Sequence, residues 1–283
     1  MTKDDNDIKV DAIIVGAGFS GLYMLYKLKE LGLTAKVIEA GKGVGGTWYW
    51  NRYPGARCDV ESMEYSYSFC EDLQQDWVWT ERFAGQEEIL RYLEHVADRF
   101  ELRADINLET KVLNCEFSET TNLWSVQTTK DNYLAKYCIM ATGPLSSTNV
   151  PDFPGLRDYK GKTYHTGSWP HDKVDFSGKT VGIIGTGSSG IQSTPIVAQQ
   201  AKHLFVFQRT PSSVDVRANR VTDPEWAANL QPGWQQERMD NFNTLVTGGY
   251  QKEDMVGDGW TEIYRNLTGI LPVDGAEQLS NVE

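Results

Sequence analysis

Two glycine-rich turns, each placed between an apolar run and a helix-forming segment, constrain the fold of this chain more than any other feature. The apolar runs are residues 11–15 and 180–184, and short runs of this kind are typical of parallel strands buried on both faces. The turns that follow them are Gly16-Ala-Gly18-Phe19-Ser20-Gly21 and Gly185-Thr186-Gly187-Ser188-Ser189-Gly190. The three glycines of each turn permit a tight bend, a close approach of the backbone to a pyrophosphate, and close packing of a helix on the strand. The repeat predicts an α/β fold with two Rossmann-like dinucleotide-binding units of the three-layer type.

The first unit continues with a predicted amphipathic helix and a second strand that ends on an acid. The apolar positions of the helix are Tyr23, Leu25, Leu28 and Leu31. The strand at residues 36–39 ends at Glu39, which lies 23 residues after Gly16. A carboxylate at this place can accept hydrogen bonds from the hydroxyl groups of a ribose. The helix start offers N–H groups and a positive potential to a pyrophosphate. Strand, turn, helix and acid in this order predict a dinucleotide site.

A second pair of glycines favours a flavin in the first unit. Gly45-Gly46-Thr47-Trp48 follows soon after the acid and predicts a loop that returns over the dinucleotide, an arrangement that resembles flavoproteins with two dinucleotides. Further on, Ala141-Thr-Gly143-Pro is interpreted as a strand end that turns back toward the cofactor, although a simple turn would have the same sequence. The first half is therefore predicted to bind FAD.

The second unit differs from the first in the charge at the end of its second strand. Its helix is predicted from Ile191 and its next strand is 203–207, after which Arg209 lies 24 residues beyond Gly185. An arginine here pairs with a 2′-phosphate, and Thr210 adds a neutral donor, so NADPH is predicted rather than NADH. A merely solvated arginine is the alternative. The residues Ser188, Ser189 and Gln192 can reach the pyrophosphate or be ordinary residues of a helix start.

Composition and charge exclude several classes of function. The chain of 283 residues is 40% hydrophobic and 23% charged, which is usual for a soluble globular protein. Its formal net charge of −12 argues against binding nucleic acid or an anionic membrane surface. Residues 1–9 have no features of a signal peptide, and no run approaches the roughly 18 apolar residues of a membrane span. The four cysteines form no CxxC, so neither a disulfide framework nor a metal site is expected, and a cytoplasmic location is predicted.

The segment between the two units carries a longer motif. Residues 159–170 read Tyr159-Lys-Gly161-Lys-Thr-Tyr-His165-Thr-Gly-Ser-Trp169-Pro170. This resembles the fingerprint of type I Baeyer–Villiger monooxygenases, F-x-G-x-x-x-H-x-x-x-W-[P/D], with Tyr159 in place of the phenylalanine. Residues 45–59 are equally similar to the family pattern, and the resemblance extends to about Pro211. The ending Trp169-Pro170 favours this family over related flavin N- and S-monooxygenases.

The resemblance implies an oxidoreductase, and a reaction. In the family, NADPH reduces FAD, O2 adds to give a C4a-peroxyflavin, and this flavoprotein intermediate inserts one oxygen next to a ketone carbonyl to give an ester or lactone. By the same resemblance, FAD contacts are expected from Gly18, Ser20, Glu39, Thr47, Trp48, Asp59, Tyr65 and Val112, beside the glycines Gly16, Gly21 and Gly46 and the intervening Phe19. NADP contacts are expected from Thr186, Gly187, Ser188, Ser189, Gly190, Ile191 and Gln192, with Arg209 and Thr210.

Two residues are given roles by the resemblance. Asp59 matches the family's active-site aspartate beside the flavin, which helps to position a catalytic arginine, and a structural loop acid is the alternative. His165 matches a linker residue whose state communicates domain movement in the family, and direct acid–base chemistry is the alternative. Asp59 is therefore the candidate catalytic residue.

Length limits these expectations, because members of the family are roughly twice as long. The predicted division is an FAD-binding portion at 1–147, a linker with the fingerprint at 148–178, an NADPH-binding unit at 179–216, and the start of a helical insertion at 217–283. Both dinucleotide units are expected to be incomplete, and a missing C-terminal half or a complementing chain is the expected partner. Three functions stay open: a Baeyer–Villiger enzyme acting on a small-molecule ketone and O2, a truncated non-catalytic fragment of one, and a flavin N- or S-oxygenase.

Overall fold

The computed structural model describes residues 7–214 and 216–268. The expectation for residues 1–9 therefore falls mostly outside the described residues, as does the last part of the region predicted at 217–283. The strands are β1 (Ile8–Val15), β2 (Ala35–Ile38), β3 (Ile106–Asn107), β4 (Val112–Ser118), β5 (Leu123–Thr128), β6 (Asn132–Met140), β7 (Thr180–Ile184) and β8 (His203–Phe207). The helices are α1 (Phe19–Glu30), α2 (Thr47–Trp50), α3 (Glu71–Asp76), α4 (Gln86–Arg99), α5 (Ser188–Gln200), α6 (Pro224–Ala228), α7 (Trp234–Val246) and α8 (Gly259–Thr268).

The larger sheet has six strands in the order β3-β2-β1-β6-β5-β4. The strand β1 lies at its centre and is parallel to both β2 and β6, while β4, β5 and β6 form an antiparallel meander. Ala12, Ile13 and Ile14 of β1 are fully buried, which confirms the prediction of a strand covered on both faces. Ile13 packs with Ile38, Val126, Tyr133 and Ala135 in the core of this sheet.

Helix α1 covers β1 and β2 with one apolar face. Its buried residues include Leu22, Leu25 and Leu28, which recur at the spacing of a helix face and include two of the predicted positions. The predictions for Tyr23 and Leu31 are wrong. Tyr23 is 37% exposed, because it lies outside the face formed by Leu22, Leu25 and Leu28, and Leu31 is 72% exposed, because the helix ends at Glu30. The turn at Gly32, which adopts a φ of +69°, reverses the chain here, so Leu31 cannot continue the buried face.

The second glycine unit consists of the parallel pair β7–β8 and helix α5. Both strands have the predicted bounds, but α5 begins at Ser188 rather than at Ile191, because Gly187 already occupies the N-cap position. The apolar side chains of the strands remain open to solvent, with Ile184 69% exposed and Phe207 57% exposed. A Rossmann-type sheet is normally covered on both faces, so this unit is incomplete, as predicted.

The described residues fall into two compact units. One holds the chain up to Ala56 together with Gln86–Phe207, and so contains both glycine units; the other holds Arg57–Gly85 together with the chain from Gln208 onward. The unit that holds Arg57–Gly85 and the chain from Gln208 onward contains the helices α3, α6, α7 and α8. Among its described residues, an isolated β-bridge between Glu81 and Val221 joins its two chain segments. Helical character after Pro211 therefore agrees with the sequence, whereas the boundaries at 147, 178 and 216 stay a prediction.

Within residues 7–214 and 216–268, no helix combines the length and the apolar character that crossing a membrane requires.

Candidate dinucleotide-binding sites

The first glycine turn leaves no room for side chains where the strand meets the helix. A Cβ atom on Gly21 would lie 1.9 Å from the carbonyl oxygen of Gly16, so α1 begins in direct contact with the turn. The N–H of Gly16 donates to the carbonyl of Ile38 at 2.9 Å, which continues the pairing of β1 with β2 into the turn. Gly18 is the N-cap of α1 and has no side-chain acceptor to occupy the first N–H groups of the helix. Phe19 and Ser20 follow as the first residues of α1, where such N–H groups suit an anion.

The second glycine pair lies directly on the first turn. A Cβ on Gly46 would lie 2.7 Å from the Cα of Gly18, and the N–H of Gly45 donates to the carbonyl of Ala17 at 2.9 Å. The predicted loop thus returns to the glycine turn, and the two backbones meet without an intervening side chain. Thr47 and Trp48 open the short helix α2, and the indole of Trp48 is buried.

Glu39 connects the turn to the loop that follows β2. Its Oε2 accepts a hydrogen bond from the N–H of Ala17 at 2.8 Å, and its Oε1 accepts one from the N–H of Gly41 at 2.7 Å. The side chain is buried, and the residue is only 5% exposed. Each carboxylate oxygen has a further lone pair, so the group can still accept bonds from two hydroxyls. The structure therefore gives Glu39 a role that sequence reasoning did not predict, in addition to the predicted contact with a ribose.

The strand end at Ala141 also belongs to this region. The N–H of Ala141 donates to the carbonyl of Val15 at 2.9 Å, and a Cβ on Gly16 would lie 2.5 Å from the Ala141 carbonyl oxygen. The segment after β6 thus packs against the glycine turn instead of leading away from it. Val112, at the start of the edge strand β4, pairs with Thr128 and borders the core of the same sheet.

The second glycine turn repeats the first in detail. A Cβ on Gly190 would lie 2.3 Å from the carbonyl oxygen of Gly185, and the N–H of Gly185 donates to the carbonyl of Phe207 at 2.9 Å. These contacts correspond to those of Gly21 and Gly16 in the first turn. Thr186 and Gly187 precede α5, and the remaining predicted residues, Ser188, Ser189, Gly190, Ile191 and Gln192, form its beginning.

The fingerprint segment is held by a histidine that caps a short turn. The Nδ1 atom of His165 accepts a hydrogen bond from the N–H of Gly167 at 3.1 Å, and the hydroxyl of Thr148 donates to the carbonyl of Gly167 at 2.7 Å. The Trp169 ring packs against the rings of Tyr164 and Phe176, with centroids 5.4 and 6.2 Å away.

The remaining candidate residues lie in the compact unit that holds Arg57–Gly85 and the chain from Gln208 onward. Asp59 has an exposed side chain, and its carbonyl accepts a bond from Trp260 Nε1 at 3.2 Å. Burial raises the pKa of the neighbouring Cys58 thiol to about 11, which leaves that thiol protonated at neutral pH. Tyr65 donates its N–H to the carbonyl of Glu61, while Arg209 and Thr210 are exposed shortly after β8. The structure thus groups Gly16–Trp48, Val112 and Thr186–Gln192 in one unit, and Asp59, Tyr65, Arg209 and Thr210 in the other.

The sequence did not predict a buried ionic cluster that lies in the same compact unit as Asp59. The carboxylate of Glu61 pairs with Arg82 at 2.6 Å and with Arg238, and Glu64 Oε1 lies 2.6 Å from Arg238 Nε. Burial is the main cause that raises the pKa of Glu64, to about 8, against the opposing effect of Arg238. The cluster joins the segment 61–82 to helix α7. Because the two segments are far apart in the sequence, no local sequence pattern could predict their contact.

Comparison with known proteins agrees with this geometry. Residues 13–254 match the family described as pyridine nucleotide-disulphide oxidoreductase. Baeyer-Villiger monooxygenase ATR8 of Stachybotrys chlorohalonatus is 42% identical over 276 residues, which cover 94% of this chain and 44% of that protein. Neopentalenolactone D synthase of Streptomyces avermitilis is 41% identical, with 95% of this chain and 47% of that protein covered.

Solved structures give the same result. Cyclohexanone monooxygenase from Rhodococcus sp. Phi1 bound to NADP+ superposes with a TM-score of 0.78 at 43% identity, over 85% of this chain and 45% of that chain. An oxidized steroid monooxygenase bound to NADP superposes with a TM-score of 0.77 at 49% identity, over 85% of this chain and 45% of that chain. The chain spans about half the length of the relatives it matches. It belongs to the pyridine nucleotide-disulphide oxidoreductase family and is related, along nearly its whole length, to Baeyer–Villiger monooxygenases.

Proposed function

We propose that this chain supplies the FAD and NADPH sites of a monooxygenase that converts a ketone to an ester or lactone. The observation that carries the proposal is the repeated geometry of the two glycine turns. A Cβ atom added to Gly21 would lie 1.9 Å from the carbonyl oxygen of Gly16, and one added to Gly190 would lie 2.3 Å from that of Gly185. One dinucleotide site would suit many oxidoreductases, but two in one compact unit suit electron transfer from one dinucleotide to another.

FAD is assigned to the first turn because the residues there fit it. The backbone contact between Gly18 and Gly46 gives a surface without side chains for a pyrophosphate, and Glu39 offers its remaining lone pairs to a ribose. NADPH is assigned to the second turn, where the start of α5 provides N–H groups, and the sequence position of Arg209, 24 residues after Gly185, supports a charge for a 2′-phosphate. Bound FAD would accept two electrons from NADPH and activate O2, and the chain's own residues bind and orient the two nucleotides.

The catalytic contribution that we propose for this chain is that of Asp59. Its side chain is exposed while its carbonyl is held by Trp260, so the backbone is fixed and the carboxylate is available to a charged partner. We assign the positioning of an arginine to this carboxylate on the basis of the family resemblance of residues 45–59. The exposed apolar strands β7 and β8 support completion of the NADPH unit by further polypeptide. The four free cysteines support a reducing compartment, for which we propose the cytoplasm.

The proposal is tested by expressing the chain alone and joined to the second half of a homologous monooxygenase. The flavin absorbance of the purified protein, NADP+ binding, and ketone-dependent oxidation of NADPH are then measured. We expect bound flavin and NADP+ affinity in both forms, and ester or lactone product from the joined form. A colourless chain without affinity for NADP+ would contradict the proposal. Oxygenation of amines or sulfides without ketone oxidation would replace it by the N- or S-oxygenase alternative.

A further inference from the structure

Helix α4 packs on the place where the two glycine segments of the flavin side meet. A Cβ on Gly45, whose backbone has a φ of +127°, would lie 2.5 Å from Cδ1 of Leu90 on α4. On the same helix, the ring of Tyr92 lies near the ring of Phe19 at the start of α1, with centroids 6.3 Å apart. All four residues belong to the same compact unit. Helix α4 therefore supports both the loop that returns over the first turn and the helix that leaves it.

The first residue of α4 holds this loop by hydrogen bonds. The Nε2 atom of Gln86 donates to the carbonyl of Trp48 at 2.5 Å, and its backbone N–H donates to the carbonyl of Ala56 at 2.9 Å. The side chain of Gln86 is buried. Gln86 thus ties the segment 48–56, which follows the second glycine pair, to α4 at both of its ends.

The bond to Trp48 supplies what the short helix α2 lacks. The last four carbonyls of a helix have no partner within the helix, and α2 contains only the four residues Thr47–Trp50. A carbonyl oxygen only accepts hydrogen bonds, so it is the NH2 group of the Gln86 amide that engages Trp48. A buried carbonyl without a donor is costly, so this bond favours the position in which α2 begins against the glycine turn.

We propose that Gln86 is a positioning residue for FAD, because it holds the Trp48 peptide and with it the start of α2. Thr47 and Trp48 are the residues of α2 expected to contact the flavin nucleotide, and Gly46 before them lies on Gly18. Gln86 acts through the Trp48 carbonyl and not through a bond of its own to the nucleotide. The inference rests on the proposed function, since it assumes that the first turn binds FAD.

The test titrates FAD into the full chain freed of flavin and measures the Kd by quenching of flavin fluorescence. Gln86→Met keeps the length of the side chain but removes the donor, and the loss of one hydrogen bond predicts a Kd for FAD that is raised about 2- to 10-fold. The circular dichroism of the flavin absorption bands is recorded at saturating FAD. It is expected to differ from that of the wild type, because the displaced loop changes the surroundings of the nucleotide.

A second variant changes the polarity of the contact without changing its size. Gln86→Glu places a carboxylate oxygen, which can only accept, against the Trp48 carbonyl, so the two oxygens repel each other. We expect flavin affinity to fall from the wild type to Gln86→Met and further to Gln86→Glu, with altered flavin dichroism in both variants. Because it keeps the size and polarity of glutamine, Gln86→Glu also provides the measurement if Gln86→Met yields no folded protein.

Asn241→Leu is the matched control. The Asn241 amide is also buried, and its Nδ2 donates to a backbone carbonyl, that of Glu253, at 2.7 Å. Its loss should lower the thermal midpoint at least as much as Gln86→Met does, because its Oδ1 also accepts a bond from the N–H of Met255. Asn241 and its partners lie in the other compact unit and none of them is an expected FAD contact. The control should therefore keep the flavin affinity and the flavin dichroism of the wild type.

Failure of the inference can be told from failure of the proposed function. A wild-type chain without affinity for FAD contradicts the proposed function, and the inference with it. A wild type that binds FAD, with unchanged FAD affinity in both Gln86 variants, overturns the inference alone. A weaker FAD affinity in Gln86→Met that is matched by Asn241→Leu, with wild-type dichroism at saturation in both, would also overturn it, because the loss would then reflect stability alone.

Discussion

Oε2 of Glu39 lies 2.8 Å from the backbone nitrogen of Ala17 and accepts its hydrogen bond, so the acid that directly follows β2 is bound to the glycine turn that follows β1. Its other oxygen holds Gly41 in the same way at 2.7 Å. The acid therefore fixes the shape of the flavin-side turn. A residue of this kind is expected to affect both the stability of the fold and the affinity for the nucleotide.

The first prediction concerns Glu39→Gln. The amide has one acceptor atom, so one of the two buried backbone N–H groups loses its partner, which costs about 1–3 kcal/mol of unfolding free energy. The variant is also expected to bind less flavin, because the NH2 group that replaces one oxygen repels the N–H groups around it. Thermal unfolding and flavin absorbance check both effects. Glu116→Gln, at an exposed position on β4, is the control and should change neither. Normal flavin content in Glu39→Gln would contradict the prediction.

The second prediction compares the two glycine turns. Gly21→Ala places a Cβ against the Gly16 carbonyl, and Gly190→Ala places one against the Gly185 carbonyl, so each forces a helix away from its turn at a cost of roughly 1–3 kcal/mol. We expect Gly21→Ala to lose most of the bound flavin, and Gly190→Ala to keep flavin but lose NADP+ affinity. Flavin absorbance and NADP+ titration distinguish the two. Gly259→Ala is the control, because an added Cβ there meets no atom within 4 Å. Identical losses in both turn variants would argue against separate sites.

The third prediction concerns the choice between NADPH and NADH. Removing the guanidinium in Arg209→Ala should reduce kcat/KM for NADPH about 10- to 100-fold and leave that for NADH nearly unchanged, because the lost bonds go to a charged 2′-phosphate. The ratio of the two kcat/KM values, measured on the form joined to a homologous second half, is the relevant quantity. Arg157→Ala removes an exposed arginine elsewhere and should leave the ratio as it is. An unaltered ratio in Arg209→Ala would mean that this arginine is merely solvated.

The fourth prediction concerns the pH dependence of stability through Glu64. Its pKa is raised from the ordinary value of 4.5 to about 8, chiefly by burial. Between those values the folded protein keeps a proton that the unfolded chain has lost, so this group makes the free energy of unfolding fall as pH rises from 4.5 to 8. Below 4.5 both states are protonated, so Glu64 no longer makes the stability depend on pH and its full contribution is present.

Denaturant unfolding at pH values across that range checks the effect. Glu64→Gln, which cannot ionise, should show a weaker decline in stability with rising pH than the wild type. Glu237→Gln removes an exposed carboxylate from the same helix as Arg238 and should follow the wild-type curve. If Glu64→Gln and the wild type decline in parallel, then Glu64 ionises in the folded protein at an ordinary pH.

Much of the fold could be predicted because its determinants are local. The apolar runs that became β1, β7 and β8, and the glycines that follow them, lie within a few residues of each other, so spacing alone indicated strand, turn and helix. Besides Tyr23, the errors lie at helix ends: α5 begins at Ser188 because Gly187 takes the N-cap, and Leu31 leaves the buried face at a glycine turn. Such boundaries depend on individual backbone angles, which a hydrophobic pattern does not specify.

By itself, the sequence determined that this chain has two dinucleotide-type turns, the first followed by an acid at Glu39 and the second by a base at Arg209. Only the tertiary structure decided what those residues touch. The bond from Ala17 to Glu39, the approach of Gly46 to Gly18 and the bond from Tyr53 to Gln192 join residues that are 22, 28 and 139 positions apart in the chain. Periodicity carries no information about such contacts, because they arise when separate elements pack together and the buried polar groups of one must be satisfied by another.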